Sequence, residues 1–512
     1  MSDISVENKR IARNSIFLNI RMVFVMCIML YTTRAILQVL GVEDYGVYTV
    51  VCGFVSLFAF LNTSMSNAIQ RFYNFELGKN GIEGANCVYC TSLQIQLMLA
   101  IIIIVFTETF GLWYLYNKMV IPENRMVAAE WIFHFSLLNL FFVVIQAPYS
   151  AAVMAHERMD FFAIVSVIDV LLKLGIVFLI PLLHGDMLIL YGILMAVISF
   201  IDFIMYFIYC KGNFEEIRYY KHNDKTLFKS MVGFSGWNLF GTFSTVVREQ
   251  GVNLILNFFY GPIVNAAQGI SSQINGGLQN FVSNISTPVR PQVIQSYAQN
   301  DIRRTMSLTF TVSRLSCFFL MVMAIPVSLE IDYILSVWLG DNVPSHTNTF
   351  TVIILMTSII SNLNAATSGV VHATGKMKNY QLLSSITGIS SLPLAYVLLC
   401  FFDLPELAML SIFISSIIGH TIGLFVVRSL VGMSLFEYIS KVVKPIVFVL
   451  FFSLIIIVPF HYLMNEGFLR LIAVIVISLV SISLIVYHFT LEQNERELLN
   501  QMISSLRRKV GK

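Results

Sequence analysis

The chain has 512 residues, 57% apolar and only 12% charged, with a net charge of +3. A soluble domain carries about 25% charged residues, so the composition excludes a soluble enzyme or a nucleic-acid-binding module, and no nucleic-acid partner is expected. Repeated apolar stretches of about 20 residues instead define an all-α polytopic membrane protein.

In chain order the hydropathy pattern predicts about 14 transmembrane helices. The start, Met1 to Ser15, lacks the short apolar core and small-residue site of a removable signal peptide. The first six spans fall at 14–39, 45–72, 87–115, 128–152, 161–183 and 187–210. Span one carries Arg21 toward its inner end and Arg34 toward its outer end, about 20 Å apart along a helix and about 140° around it. Span two has a polar stripe of Ser56, Thr63, Asn67, Gln70 and Asn74, with Arg71 at its inner end. Cys87 and Cys90 make a lone CxxC with no second pair or histidine cluster, so it reads as structural and no metal or cofactor is expected. Span five places Asp169 and Lys173 at i, i+4, the favourable order for an intrahelical pair, and span six carries Asp202. The basic stretch Lys211 to Lys229 reads as a topology signal.

Spans seven to twelve fall at 230–258, 264–287, 305–328, 348–372, 380–402 and 405–427. Residues 250 to 289 contain no charged side chain, yet ten of them are Asn or Gln. Arg248 and Glu249 precede this stretch and Arg290 follows it. Arg248 is expected deep in span seven, with Glu249 pointing about 100° away, so the two need not neutralise each other. Gln268, Ser272, Asn275, Gln279, Ser283, Ser286 and Arg290 follow three- and four-residue steps along one face of span eight. Arg314 lies in span nine and His420 in span twelve. The last two spans, 445–463 and 468–489, are almost purely apolar and read as lipid-facing, outside the core. The tail from Leu491 to Lys512 has the spacing of a basic amphipathic helix on the inner leaflet, with a solvated tail as the plainer reading.

Of the 32 Lys and Arg residues, 24 fall on alternate connections that include both termini, three on the opposite side and five within spans. The positive-inside rule then places both ends in the cytoplasm. A shift of 220 residues lays span two on span eight: Gly41 meets Gly261, Thr63 meets Ser283, Ser66 meets Ser286 and Asn80 meets Asn300. Such repeats are common in secondary transporters, whose sites lie between repeats. The stripes suit either polar glue between helices or the wall of a wet cavity. Five intramembrane cations (Arg21, Arg34, Lys173, Arg248, Arg314) facing lipid would cost roughly 3 kcal/mol each, on the order of 15 kcal/mol together, so they must be hydrated, paired or near headgroups. A cationic cavity suits phosphate or acidic sugar, since guanidinium binds phosphate oxygens in pairs. Asp169, Lys173, Asp202 and Glu249 are the candidates for coupling to a proton or sodium ion. No GxxxxGK phosphate loop, HExxH or GxSxG motif is present.

One further pattern is more specific. Arg34 is followed by Leu40-Gly41-Val42-Glu43-Asp44-Tyr45-Gly46-Val47-Tyr48, then Gln70-Arg71-Phe72 and Glu76-Leu77-Gly78-Lys79; later come Asn265-Ala266-Ala267-Gln268-Gly269-Ile270 and Pro288-Val289-Arg290-Pro291-Gln292. These segments resemble the polysaccharide flippases of the multidrug/oligosaccharidyl-lipid/polysaccharide exporter superfamily. The resemblance implies two pseudo-twofold-related six-helix lobes, at 1–228 and 229–438, then a helix pair at 439–490 and the tail at 491–512. It implies that spans one, two, seven and eight line a cationic cavity. It implies movement of an undecaprenyl-diphosphate-linked oligosaccharide, as used in lipopolysaccharide or capsule assembly, from the cytoplasmic to the periplasmic leaflet of a bacterial inner membrane. Partners would be that lipid-linked oligosaccharide, membrane lipids and other glycan-assembly membrane proteins. On this reading Arg34, Arg248 and Arg21 contact diphosphate or acidic sugar; Gln268, Asn275 and Gln279 meet sugar hydroxyls; and Arg71, Arg290 and Arg314 complete the cationic wall. Rival readings are a cation-coupled drug exporter of the same superfamily and a membrane glycan polymerase or acyltransferase.

Overall fold

The structure is a computed structural model. It describes the backbone at residues 2–156, 158–220, 224–286, 289, 293, 296–297, 299–340, 342–374, 376, 378–491 and 496, and side chains from Phe24 onward except at 67, 78, 235, 237–238, 240, 284–286, 365–366 and 372. Among these residues every regular element is a helix. In order they are α1 (Ser2–Ser56), α2 (Ala59–Phe106), α3 (Leu112–Asn117), α4 (Met126–Ala155), α5 (Met159–Leu179), α6 (Met187–Asn213), α7 (Lys225–Tyr260), α8 (Pro262–Ser286), α9 (Ile302–Leu329), α10 (Ile331–Leu339), α11 (Thr347–Thr374), α12 (Lys378–Ile389), α13 (Ser391–Phe401), α14 (Glu406–Val431), α15 (Leu435–Tyr438), α16 (Lys444–Leu463) and α17 (Phe468–Ile485).

Eleven helical stretches among the described residues are long and apolar enough to cross a membrane, which makes this a multi-pass membrane protein. The expected spans at 45–72, 230–258 and 264–287 are helical where described, apart from the break at residues 57–58, yet their polar content keeps α7, α8 and the first half of α2 outside that set. Span two is also split: one part ends α1 at Ser56 and the other begins α2 at Ala59.

Two turns explain the sequence repeat. α1 bends at Gly41 (φ 80°, ψ 169°) and α7 ends at Gly261 (φ 75°, ψ −169°), so residues 220 apart adopt the same left-handed conformation. A Cβ is disfavoured there, and glycine makes the hairpin possible. The next turns, at Gly81 (φ 63°) and Asn300 (φ 58°), fall one residue off the same shift.

The chain forms two compact units, one comprising Met1–Ile270, Trp338–Thr347 and Ser385–Ile412, the other Ser271–Val337, Asn348–Ser384 and Phe413–Lys512. The first unit has one apolar core around Val50, Phe54, Leu115, Phe133 and Leu188 and another around Ile69, Tyr73, Ala152 and Tyr206. The connection after α6 is anchored more firmly than a topology signal requires. Glu216, 3% exposed, accepts from Tyr73 Oη at 2.7 Å and meets His156 Nε2 at 2.5 Å. Asn86 Nδ2 donates to the carbonyls of Glu216 and Arg218, and the Tyr220 N–H to Cys90 Sγ at 3.4 Å, which gives the CxxC a packing role.

The second unit buries Phe310, Met321, Val370, Tyr438 and Val449. Its last two spans, expected at the periphery, are apolar on their exposed faces but pinned at a buried charge. Glu330, fully buried at the end of α9, accepts from Arg470 Nε at 2.9 Å and meets His461 Nδ1 at 2.8 Å. The tail beyond Leu491, apart from residue 496, lies outside the described residues.

Candidate functional site

The shared motif of the opening segment has a mechanical explanation. Gly41 makes the turn. Three residues on, Asp44 receives Arg125, whose Nε lies 2.6 Å from Asp44 Oδ1 and whose Nη1 lies 2.6 Å from Asp186 Oδ2. Asp186 also caps α6 through the backbone N–H groups of Leu188 and Ile189. Burial pushes the Asp186 carboxyl up, but the hydrogen bond from Arg125 and those from the Ile189 and Leu188 amides outweigh it and leave it below the ordinary range. Gly46 lies so close to the α7–α8 turn that a Cβ there would overlap the Pro262 carbonyl. Gly53 fits against Gln250 and Asn253, and Gly269 against Thr49. These contacts seat α1 on the α7–α8 hairpin.

The amides of that hairpin divide into two kinds. Near the turn they are structural. Asn265 Nδ2 donates to Asn253 Oδ1 at 2.6 Å, Asn257 Nδ2 to Asn265 Oδ1 at 3.0 Å, and Asn257 Oδ1 accepts from the Val120 N–H at 2.9 Å. Gln268 is 8% exposed, and its Oε1 has no hydrogen-bond partner among the described residues. In the second unit the stripe of α8 meets α11 in three polar pairs. Ser271 Oγ bonds Thr351 at 3.0 Å, Asn275 Oδ1 accepts from Ser358 at 2.5 Å, and Gln279 Oε1 accepts from Asn362 at 3.3 Å. The polar-glue reading therefore describes part of this stripe, while both amide residues keep some exposure.

The cations separate in the same way. Arg34 is half-buried on α1, on one helical face with the exposed Tyr31 and Gln38. Arg248 on α7 is 22% exposed, and its Nε has no hydrogen-bond partner among the described residues. Arg248 Nη2 lies 3.7 Å from Glu249 Oε1, because long side chains on adjacent residues can swing across the angle that separates their Cβ atoms. The pair is loose and Glu249 is 58% exposed, so the guanidinium keeps bonding capacity. Arg314 is 3% exposed, and its Nη1 donates to the Lys441 carbonyl at 3.2 Å, so it joins α9 to the segment before α16. Arg71 is exposed, with its guanidinium 4.3 Å above the Phe234 ring. The backbone of Arg21 lies in α1 but its side chain is outside the described residues, as is all of Arg290.

The acids also converge. Lys173 Nζ is 2.8 Å from the Asp169 carboxylate, and Asp202 on α6 lies beside Asp169 and in the field of Lys173. The sequence offers Asp169 and Lys173 as a self-neutralised pair; the α5–α6 contact adds a second carboxyl. Glu249 is not part of this group. Sequence reasoning missed Arg125, Asp44 and Asp186 as a cluster, since Arg125 counts there only as one of the three Lys and Arg residues on the side opposite the termini. It also missed Tyr31 and Gln38, which appear once the Arg34 helix face is traced.

The fold can be compared with solved structures. It is similar to an inward-facing multidrug resistance MATE family transporter of the MOP superfamily, with TM-score 0.64 and 14% identity over 81% of this chain and 98% of the other. It is similar to the lipid II flippase MurJ in an inward closed conformation, with TM-score 0.65 and 16% identity over 93% of this chain and 98% of the other. It is also similar to a MOP superfamily transporter from Pyrococcus furiosus, with TM-score 0.58 and 16% identity over 82% and 95% of the two chains. The chain shares the fold of these structures. No family model and no curated protein matches the sequence. The shared fold extends over 93% of the chain in the comparison with the flippase, and these neighbours are a transporter and a flippase.

Proposed function

We propose that this protein is a flippase for a lipid-linked oligosaccharide. It moves an undecaprenyl-diphosphate-linked glycan from the cytoplasmic to the periplasmic leaflet of a bacterial inner membrane by alternating access. The observation that carries this reading is the pair of guanidiniums in the first unit, Arg34 on α1 and Arg248 on α7, both partly exposed on helices of a membrane protein. Arginine facing acyl chains is costly, so partial exposure within a span favours a wet, anion-accepting wall. A diphosphate presents the oxygens that such forks bind in pairs. The likeness to a lipid II flippase over 93% of the chain supports the same class of cargo. Gln268, with a buried amide oxygen that has no hydrogen-bond partner among the described residues, is assigned to a sugar hydroxyl.

Asp169, Lys173 and Asp202 are assigned to ion coupling. Two carboxyls and one ammonium side by side carry one negative charge in excess, which a proton or a cation can balance. The test is flipping in reconstituted vesicles. Arg34→Ala and Arg248→Ala should each lower the rate by about tenfold or more with insertion intact, as expected for loss of a charge-assisted contact. Unchanged flipping by both variants would defeat the anion-wall assignment, and efflux of organic cations without glycan flipping would move the chain to the drug-exporter class.

A further inference from the structure

The face of α1 that carries Arg34 holds more than the anion-binding wall requires. Cys27, Tyr31, Arg34 and Gln38 succeed one another by three- and four-residue steps and so share one side of the helix. Tyr31 is 50% exposed and Gln38 is exposed, whereas Ile36 on the other side is buried. Trp338, the penultimate residue of α10, reaches the same helix within the first unit. Its Nε1–H donates to the Leu30 carbonyl at 2.7 Å. Leu30 precedes Arg34 by four residues, about one helical turn, so the indole is fixed about 6 Å along the axis from the guanidinium's backbone. The ring is half-buried and its one polar group is satisfied by a carbonyl, which retains a second lone pair for its own helix bond.

We infer that Trp338, with Tyr31 and Gln38, forms a sugar platform beside Arg34 that takes the ring adjoining the diphosphate. The inference rests on the lipid-linked glycan reading and deepens it. A pyranose has one face of C–H groups that carries partial positive charge, which suits the electron-rich face of an indole or phenol. Its equatorial hydroxyls suit a carboxamide such as Gln38, which both donates and accepts. An aromatic ring already held by a hydrogen bond loses little freedom on binding. A bare lipid diphosphate would use the guanidinium and leave the platform empty.

The chain has four tryptophans, so Trp113→Phe, Trp131→Phe and Trp237→Phe leave Trp338 as the sole indole reporter. In nanodiscs, its emission is expected to shift with lipid-linked oligosaccharide extracted from cells lacking this protein, and to stay unchanged with undecaprenyl diphosphate alone. In vesicles, Trp338→Leu is expected to slow flipping by about tenfold, the scale of one lost aromatic contact, while Trp338→Phe, which keeps a ring but loses the N–H, stays within about threefold of wild type. An equal emission change with the sugar-free lipid overturns the platform. So does an equal loss in the Leu and Phe variants, which would make the Leu30 hydrogen bond a structural strut. If wild type flips the oligosaccharide and Trp338→Leu does so equally well, the platform alone fails. If wild type does not flip it at all, the carrier reading fails with it.

Discussion

At the scale of single residues, the chain separates buried charge that holds helices from charge that remains open to a ligand. Arg125 bridges two carboxylates at 2.6 Å and is only 19% exposed, so it belongs to the first kind. Asp186 gives that cluster a pH signature. Its folded carboxyl titrates below its usual 3.8, so its contribution to stability is fully present above that value and is lost as pH falls through the lower folded one. Melting temperature in detergent should therefore drop in acid, below about pH 4, and Asp186→Asn should flatten that part of the profile. An unchanged acid limb in the variant would show that Asp186 is not the linked group. Arg314 illustrates how residue type alone misleads: its spacing suits a cavity wall, yet it is buried against the Lys441 carbonyl.

At the scale of elements, close approach between helices sets the geometry. Gly46 admits the Pro262 carbonyl where any Cβ would collide, whereas Gly175 on α5 has open space around it. Gly46→Leu should cost about 2–3 kcal/mol through overpacking and Gly175→Leu less than 1 kcal/mol, measured by thermal unfolding in detergent. Equal effects would mean that α1 can shift away from the hairpin at little cost. The asparagine chain at the head of α7 and α8 is similarly committed. Asn257→Ala should leave the Asn265 oxygen and the Val120 backbone unpaired and cost about 1–3 kcal/mol, without altering ligand affinity beyond the loss of folded protein. The sequence shows these amides only as a polar stretch. It cannot say which of them meet each other, because partners such as Val120 and Asn257 are 137 residues apart.

At the scale of the molecule, transport needs both a held framework and a group that changes charge. The terminal helices belong to the framework. Glu330 is fully buried between Arg470 and His461, and removing one partner of a buried pair strands the others. Glu330→Ala should cost about 3–5 kcal/mol and expose the 464–467 turn to limited proteolysis; resistance equal to wild type would show the pair to be held by apolar packing alone. Asp202 is the group proposed to change charge. Asp202→Asn should abolish the response of flipping to an imposed proton or sodium gradient while leaving exchange down the substrate gradient, and a preserved response would remove the triad from coupling.

Composition and hydrophobic period determined the class of this protein without reference to any contact. Burying this much apolar surface with so few charges leaves helices in a bilayer as the available solution. Local rules also placed the turns, since Gly41 and Gly261 lie where the chain must take a left-handed backbone. What tertiary structure alone decided is the fate of each polar group. Asn275 meets Ser358, Arg314 meets Lys441, Asp202 joins Asp169 and Trp338 reaches Leu30 across 308 residues. The physical reason is that a helical period fixes which face a side chain occupies but not what stands opposite it. In a membrane protein that opposing surface determines whether an amide or a guanidinium joins helices or remains open to a ligand.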